Sequence, residues 1–329
     1  IIFISHRLRE ITSVCDTMVV LRDGHVVVEC PVEGVEIEQI AKWMVGRDIS
    51  TEIQHVTNSE RIHEEDIIFE AKNLWVDMPG EVIKNVSLKV RRGEILGIGG
   101  LAGQGKLGLP NGIMGIFESG GEIFFENEPL PLNNTLKALK RGISFVSEDR
   151  RGVGLLLDEP IDWNITFNAM QVENRFLKSY LGGLIKIRDD KSMRQCANEY
   201  IDQLEIKCTS EKQKARNLSG GNQQKVCLAK AFATNPKLLF VSEPTRGIDV
   251  GAKELVLNAL KEYNEKNNTT IVIVSSELEE LRSISDRIAI VCEGEIYGIL
   301  PPDTEATEFG LLMSGEYKIN EKGEKIWLR

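Results

Sequence analysis

GLAGQGKL, residues 100–107, follows the apolar segment Glu94–Ile98 and opens onto a second apolar run that reaches Phe117. The succession reads as strand, glycine-rich turn, helix. Gly100, Gly103 and Gly105, with Gly108 just beyond, allow backbone N–H groups to curl around an anion, and Lys106 can reach the outer phosphates of a bound polyphosphate. Gln104 lies inside the turn. The string fits GxxxxGK[ST] except at its last place, where Leu107 has no hydroxyl to offer a magnesium ion. A glycine turn with one lysine is as often only a turn, so its company decides.

Further along the chain stands LSGGNQQK, residues 218–225. Leu218, Ser219, Gly220, Gly221 and Gln223 open a helix, and the serine hydroxyl with free N–H groups suits an anion presented by another domain. A plain serine N-cap is the alternative. After that helix comes LLFVSEPTRGID, residues 238–249, an apolar strand that ends in Ser242 and the carboxylate Glu243. A carboxylate at the C-terminal edge of a sheet is placed to polarise a water. Strands at Ile67–Phe69, Val82–Val90, Ile143–Val146, Leu238–Val241 and Thr270–Val274 alternate with helical stretches. The fold class is therefore α/β with a mainly parallel sheet covered on both faces. Helical spacing of charged and apolar residues over Ile161–Lys207 predicts a helical subdomain at about 155–215.

The two ends of the chain are related. IIFISHRLREITSVCDTMVVLRDG, from Ile1, aligns without gaps to IVIVSSELEELRSISDRIAIVCEG, from Ile271, sharing Ser5/Ser275, Leu8/Leu278, Glu10/Glu280, Ser13/Ser283, Asp16/Asp286 and Gly24/Gly294. Both read as strand, short helix, strand, glycine turn, strand, with Ile1–Ile4 inside the first strand. Residues 1–48 are therefore read as the tail of one domain, the polar stretch 49–66 as a linker, and 67–329 as a whole second domain ending in the equivalent tail.

Hydrophobic residues make up 42% and charged residues 27% of the chain. That is a globular balance, and no apolar run approaches the length of a membrane span. A net charge of −10 opposes a nucleic-acid partner. Cys15, Cys30, Cys196, Cys208, Cys227 and Cys292 show no metal-ligand spacing and read as reduced, mostly buried thiols; no metal-ligating set is expected among the residues. His25, His55 and His63 read as solvated surface residues.

Taken together, the loop, the LSGG string, the strand with EPTRGID and the strand after it resemble the ATP-binding cassette (ABC) family, and their order and spacing are highly specific. Within it the chain is similar to the fused tandem ATPases of ribose, galactose and xylose importers, on Ser147–Arg150 (SEDR), Leu218–Lys225 and Glu243–Lys253, and the likeness covers essentially the whole chain. The resemblance implies a P-loop NTPase-like cassette with a mainly parallel central sheet, an antiparallel β subdomain and a helical signature subdomain. It implies ATP with Mg²⁺, integral membrane permease subunits, a periplasmic or lipoprotein substrate-binding protein, a partner cassette in the first half of the same polypeptide, and a peripheral place on the cytoplasmic face of the membrane.

It also assigns roles. Glu243 takes the general-base position, Ser276 the switch position that His6 holds in the first repeat, Glu148 the Q-loop position, Ser242 the place of a Mg²⁺-holding aspartate, and Asp249 the loop crossing the dimer interface, unless it is simply a helix N-cap. Trp75 lies where cassettes place an adenine-stacking aromatic, although a core role is the commoner use. Leu107, Ser242, Glu148 and Ser276 all depart from pattern, and with Lys106 and Glu243 they belong to one composite site. Ser219 and His6 belong to the other. The expectation is one degenerate site and a signature lent to a competent partner, with nucleoside import or a non-hydrolysing regulatory module as alternatives.

Overall fold

A computed structural model describes residues 1–4, 8–22, 25–35, 39–40, 43, 62–180, 185–320 and 323–327. The first helix, Leu8–Val14 (α1), precedes the antiparallel hairpin Thr17–Arg22 (β1) and His25–Pro31 (β2). Then come Ile67–Val76 (β3), Ile83–Arg91 (β4) and Ile95–Gly99 (β5), the short helix Gly108–Ile113 (α2), Ser119–Phe125 (β6) and Glu128–Pro129 (β7). Helix Thr135–Lys140 (α3), strand Ile143–Val146 (β8), helix Ile161–Glu173 (α4), hairpin Leu177–Tyr180 (β9) and Ile185–Arg188 (β10), and helix Asp190–Gln203 (α5) follow. Beyond them lie Gly220–Phe232 (α6), Leu238–Ser242 (β11), Val250–Asn267 (α7), Thr270–Val274 (β12), Leu278–Ile284 (α8), Arg287–Cys292 (β13), Glu295–Leu300 (β14), Ala306–Met313 (α9), Tyr317–Ile319 (β15) and Lys325–Trp327 (β16).

The central sheet runs β14-β13-β5-β12-β11-β8, parallel except for the edge strand β14. Its inner strands are continuous apolar runs because both faces are covered. Ile271 and Ile273 point into one core, with Leu228, Leu260 and Leu281; Val272 and Val274 point into the other, with Leu74, Val86 and Leu109. The two-residue period of a strand requires this alternation. The second core is closed by the antiparallel sheet β4-β3-β6-β7. Phe69 of that sheet meets Phe240 of the central sheet edge to face, with ring centroids 5.9 Å apart.

The end-to-end repeat is physical. Helices α1 and α8 are each seven residues long and begin at the matched leucines, Leu8 and Leu278. Both following hairpins carry a register irregularity at the same place, between Val20 and Leu21 and between Ile290 and Val291. The shared polar residues have structural tasks in the second copy: Ser275 Oγ donates to Glu280, Ser283 Oγ donates to the Glu280 carbonyl, and Asp286 accepts from the Ile95 N–H.

Two expectations need correction. Residues 1–4 form no strand and are exposed, whereas their counterpart β12 is buried between β5 and β11. A strand needs neighbours to take up its N–H and C=O groups. The stretch 161–207 is not helical throughout. Asn174 takes φ +55° at the end of α4, and the β9-β10 hairpin separates that helix from α5. Asparagine tolerates this left-handed conformation at a helix end better than most residues. Of the 49–66 stretch, only 62–66 lies among the described residues, leading into β3, and His63 is exposed. Cys196, Cys227 and Cys292 are buried and the other three cysteines half-buried.

Phe240 is 1% exposed. Replacing it by alanine should cost about 3–5 kcal/mol by opening a cavity between the two sheets. Ile187 lies on the exposed hairpin. Ile187→Ala should change stability by at most about 0.5 kcal/mol. Urea unfolding of both variants beside the parent chain checks the pair.

Candidate nucleotide-binding site

The glycine-rich loop leaves the C-terminal end of β5 and enters α2, and its backbone amides turn inward. Gly103 and Gly105 adopt φ +76° and +105°, and a Cβ on Gly105 would lie 2.6 Å from the Val82 carbonyl oxygen. Only glycine fits there. Gly108 starts α2 under the Glu81 carbonyl, where a Cβ would collide with the oxygen. Gly100, like Gly103 and Gly105, has positive φ. The N–H groups of Gly103, Gly105 and Leu107 all donate to one carboxylate, that of Glu81, at 2.9, 2.9 and 3.3 Å. Sequence reasoning missed Glu81; the Pro79-Gly80 turn before it was the visible signal.

Lys106 is buried, and its Nζ donates to the Leu101 carbonyl. The Leu107 side chain packs on the apolar cluster beneath the loop. Gln104 faces the other way: its Oε1 accepts from Glu293 N–H and its carbonyl from Gly294 N–H, which bolts the loop to the β13-β14 turn. Asn111 of α2 donates to the Leu107 carbonyl and to Glu148, so Glu148 sits beside the loop's helix as an additional negative charge.

Ser242 ends β11 fully buried, its hydroxyl without a hydrogen-bond partner. Glu243 follows at φ +47°; its N–H donates to the Val274 carbonyl and its carboxylate accepts from Ser276 Oγ. Such a φ is uncommon for a non-glycine residue. Glu243 and Ser276, expected from the sequence at the base and switch positions, are thus in direct contact. His6 lies outside the described residues. Among the described residues no group of three or more His, Cys, Asp or Glu side chains could hold a metal ion. At the two places where the sequence reading expects a Mg²⁺ anchor stand Leu107, which is apolar, and Ser242, a neutral hydroxyl, whereas a hard cation prefers charged oxygens.

Behind this edge lies Glu280, also missed at first, although the Glu10/Glu280 identity pointed to it. Its buried carboxylate accepts from Thr245 Oγ1, Ser275 Oγ and Lys253 Nζ, tying the loop after β11, the end of β12 and helix α7 together. Burial raises its carboxyl above the usual range, opposed by the Thr245 hydrogen bond.

Ser219 is an exposed N-cap for α6, its side chain accepting from Asn222. Leu218 anchors the turn in the core, and Gln223 donates to the Ala215 carbonyl. Arg150 Nη1 donates to the Gly220 carbonyl and lies beside Gly247, joining the SEDR segment to both turns. Asp249 caps α7 through Ala252 N–H. Trp75 is exposed and lies across Gly120 rather than in the core.

Residues 83–246 match the family described as ABC transporter, over the loop, the LSGG turn and strand β11 with Glu243 after it. The chain belongs to the ABC transporter family. It is 37% identical over 309 residues to a ribose import ATP-binding protein of Caldanaerobacter subterraneus subsp. tengcongensis and 39% over 313 residues to a xylose import ATP-binding protein of Moorella thermoacetica, matches that cover 94% and 93% of this chain. It spans 59% of the length of both relatives. A dimeric post-hydrolysis structure of the cassette MJ0796 bound to ADP and phosphate superposes on 72% of this chain and 100% of its own, with a TM-score of 0.58 and 26% identity. The fold is that of an ABC ATPase cassette, with the LSGG turn heading α6 and the glycine loop heading α2.

Within this ABC cassette the Glu280 network yields a pH test. Unfolded, Glu280 ionises near about pH 4; folded, it holds its proton to higher pH, so its contribution to stability falls as pH rises from about 4 through the raised value. Thermal melts from about pH 4 to 8 should show a shallower decline in Tm for Glu280→Gln than for the parent. Glu280→Ala, which strands the Thr245 and Ser275 hydroxyls, should lose about 2–5 kcal/mol in urea unfolding at neutral pH.

Proposed function

We propose that this chain serves the ATP-binding component of an importer of simple sugars, contributing the tail of one nucleotide-binding domain (1–48), a connecting segment (49–66) and a second domain (67–329). The second domain lends its LSGG signature to a partner site, while its own site binds ATP without effective turnover. The observation that carries this reading is the contrast between an exposed Ser219 at a helix N-terminus and a loop whose Mg²⁺-binding places hold Leu107 and Ser242. The ribose and xylose import names of the relatives support the sugar class.

In this reading Gly100, Gly103, Gly105, Lys106 and Gly108 form the phosphate cradle, and Glu243 is the base position. Ser276 restrains the Glu243 carboxylate through a neutral hydroxyl and so cannot deliver the charge of an imidazolium. In the partner site His6 supplies the switch and Ser219 the signature, with Asp249 at the crossing between cassettes. ATP is the ligand, and Mg²⁺ acts mainly in the partner site. The other partners are membrane permease subunits, a periplasmic or lipoprotein substrate-binding protein, and the partner cassette of the same polypeptide, assembled at the cytoplasmic face of the membrane. Among the described residues no helix is long and apolar enough to cross a membrane, so the spanning segments belong to the permease in this scheme.

Calorimetric titration of this chain with ATP, with and without Mg²⁺, alongside phosphate release, tests the proposal. Weak binding indifferent to Mg²⁺ with no release is expected; tight Mg²⁺-dependent binding with turnover would overturn it.

A further inference from the structure

We propose that Glu81 is an internal phosphate surrogate: its carboxylate fills the cradle of the glycine-rich loop and must be displaced before this cassette takes a nucleotide. The proposal deepens the nucleotide-binding reading of the loop and rests on it. Three features of the fold carry it.

The first is the donor set. Gly103 N–H donates to one carboxylate oxygen of Glu81, and Gly105 and Leu107 N–H both donate to the other. Those are the inward amides that a phosphate would use, and amides converging on an anion form short, charge-assisted bonds. The cradle can serve the carboxylate or a phosphate, not both.

The second is delivery. Glu81 N–H donates to the Met78 carbonyl, closing a turn with Pro79 second and Gly80, at φ +79°, third. This is the type II pattern that Pro-Gly favours. Asp77 N–H donates to the Glu118 carbonyl before the turn, and Lys84 N–H to the Gly294 carbonyl after it. The segment 78–84 is therefore a strap pinned at both ends, and Glu81, only 8% exposed, is held over the loop by backbone geometry.

The third is fit. The strap crosses the loop so closely that a Cβ at Gly105 or Gly108 would collide with carbonyl oxygens of Val82 and Glu81. With the strap in place, Lys106 Nζ donates to the Leu101 carbonyl of its own loop. The loop is satisfied internally, so the apparent affinity for any phosphate ligand is lowered by the small fraction of molecules in which Glu81 has swung out.

The test compares the parent chain with Glu81→Gln and Glu81→Ala. Glutamine preserves volume but brings no charge and a single acceptor oxygen, which guards against misreading a folding defect. Hydrogen exchange at the Gly103, Gly105 and Leu107 amides without nucleotide, and titrations with ATP and with pyrophosphate, are the readouts. In both variants exchange at these amides should be at least about tenfold faster, and ATP and pyrophosphate should bind at least about tenfold more tightly. Exchange that is equally fast in parent and variants would overturn the proposal, as would freed amides with neither ligand bound more tightly. Freed amides with tighter pyrophosphate but unchanged ATP would uphold the surrogate and instead sink the nucleotide reading of the loop.

Discussion

Three backbone amides of one short loop aim at one point in space, and much of this molecule's geometry follows from making that possible. N–H groups that converge in this way form a concavity of positive partial charge that favours an anion. Here the neighbours supply both the shape and the charge. The strap 78–84 comes from the antiparallel sheet, the 293–294 turn from the edge of the central sheet, and the loop from the strand between. They meet because Gly105 and Gly294 both lack a Cβ where the Val82 carbonyl passes. Gln104 then closes the joint by accepting from Glu293 and Gly294.

Polar groups buried behind the loop set how rigid this edge is. Glu280 gathers Thr245, Ser275 and Lys253, which come from three separate elements. Burial makes each of those bonds costly to lose. Glu243 emerges from that frame with its backbone held by Val274 and its carboxylate by Ser276. On the signature side, Arg150 joins the SEDR segment to Gly220. The site and the surface that presents Ser219 are therefore both fixed by hydrogen bonds between elements distant in the chain.

Sequence alone carried the order of the elements. Apolar runs such as LLFV and TIVIV, glycine turns at the ends of strands and the spacing from Lys106 to Ser219 to Glu243 are local patterns, and local patterns survive without coordinates. The end-to-end repeat was equally legible, and its shared Ser, Glu, Asp and Gly residues have structural tasks in the second copy. So were the departures from the motif at Leu107 and Ser242, because they are changes of chemistry at fixed places in it.

What the tertiary structure decided depends on partners distant in the chain. Residues 1–4 have the composition of β12 yet form no strand, since a strand is completed by flanking strands rather than by its own side chains. The β9-β10 hairpin inside an otherwise helical stretch followed from the reversal at Asn174, where periodicity gave no warning. Above all, the occupant of the cradle was invisible: Glu81 lies far before the amides it engages, and no spacing rule links a Pro-Gly turn to a glycine loop. Motif chemistry is written in short range, but which charge fills a nest of amides is settled by the packing of one sheet against another.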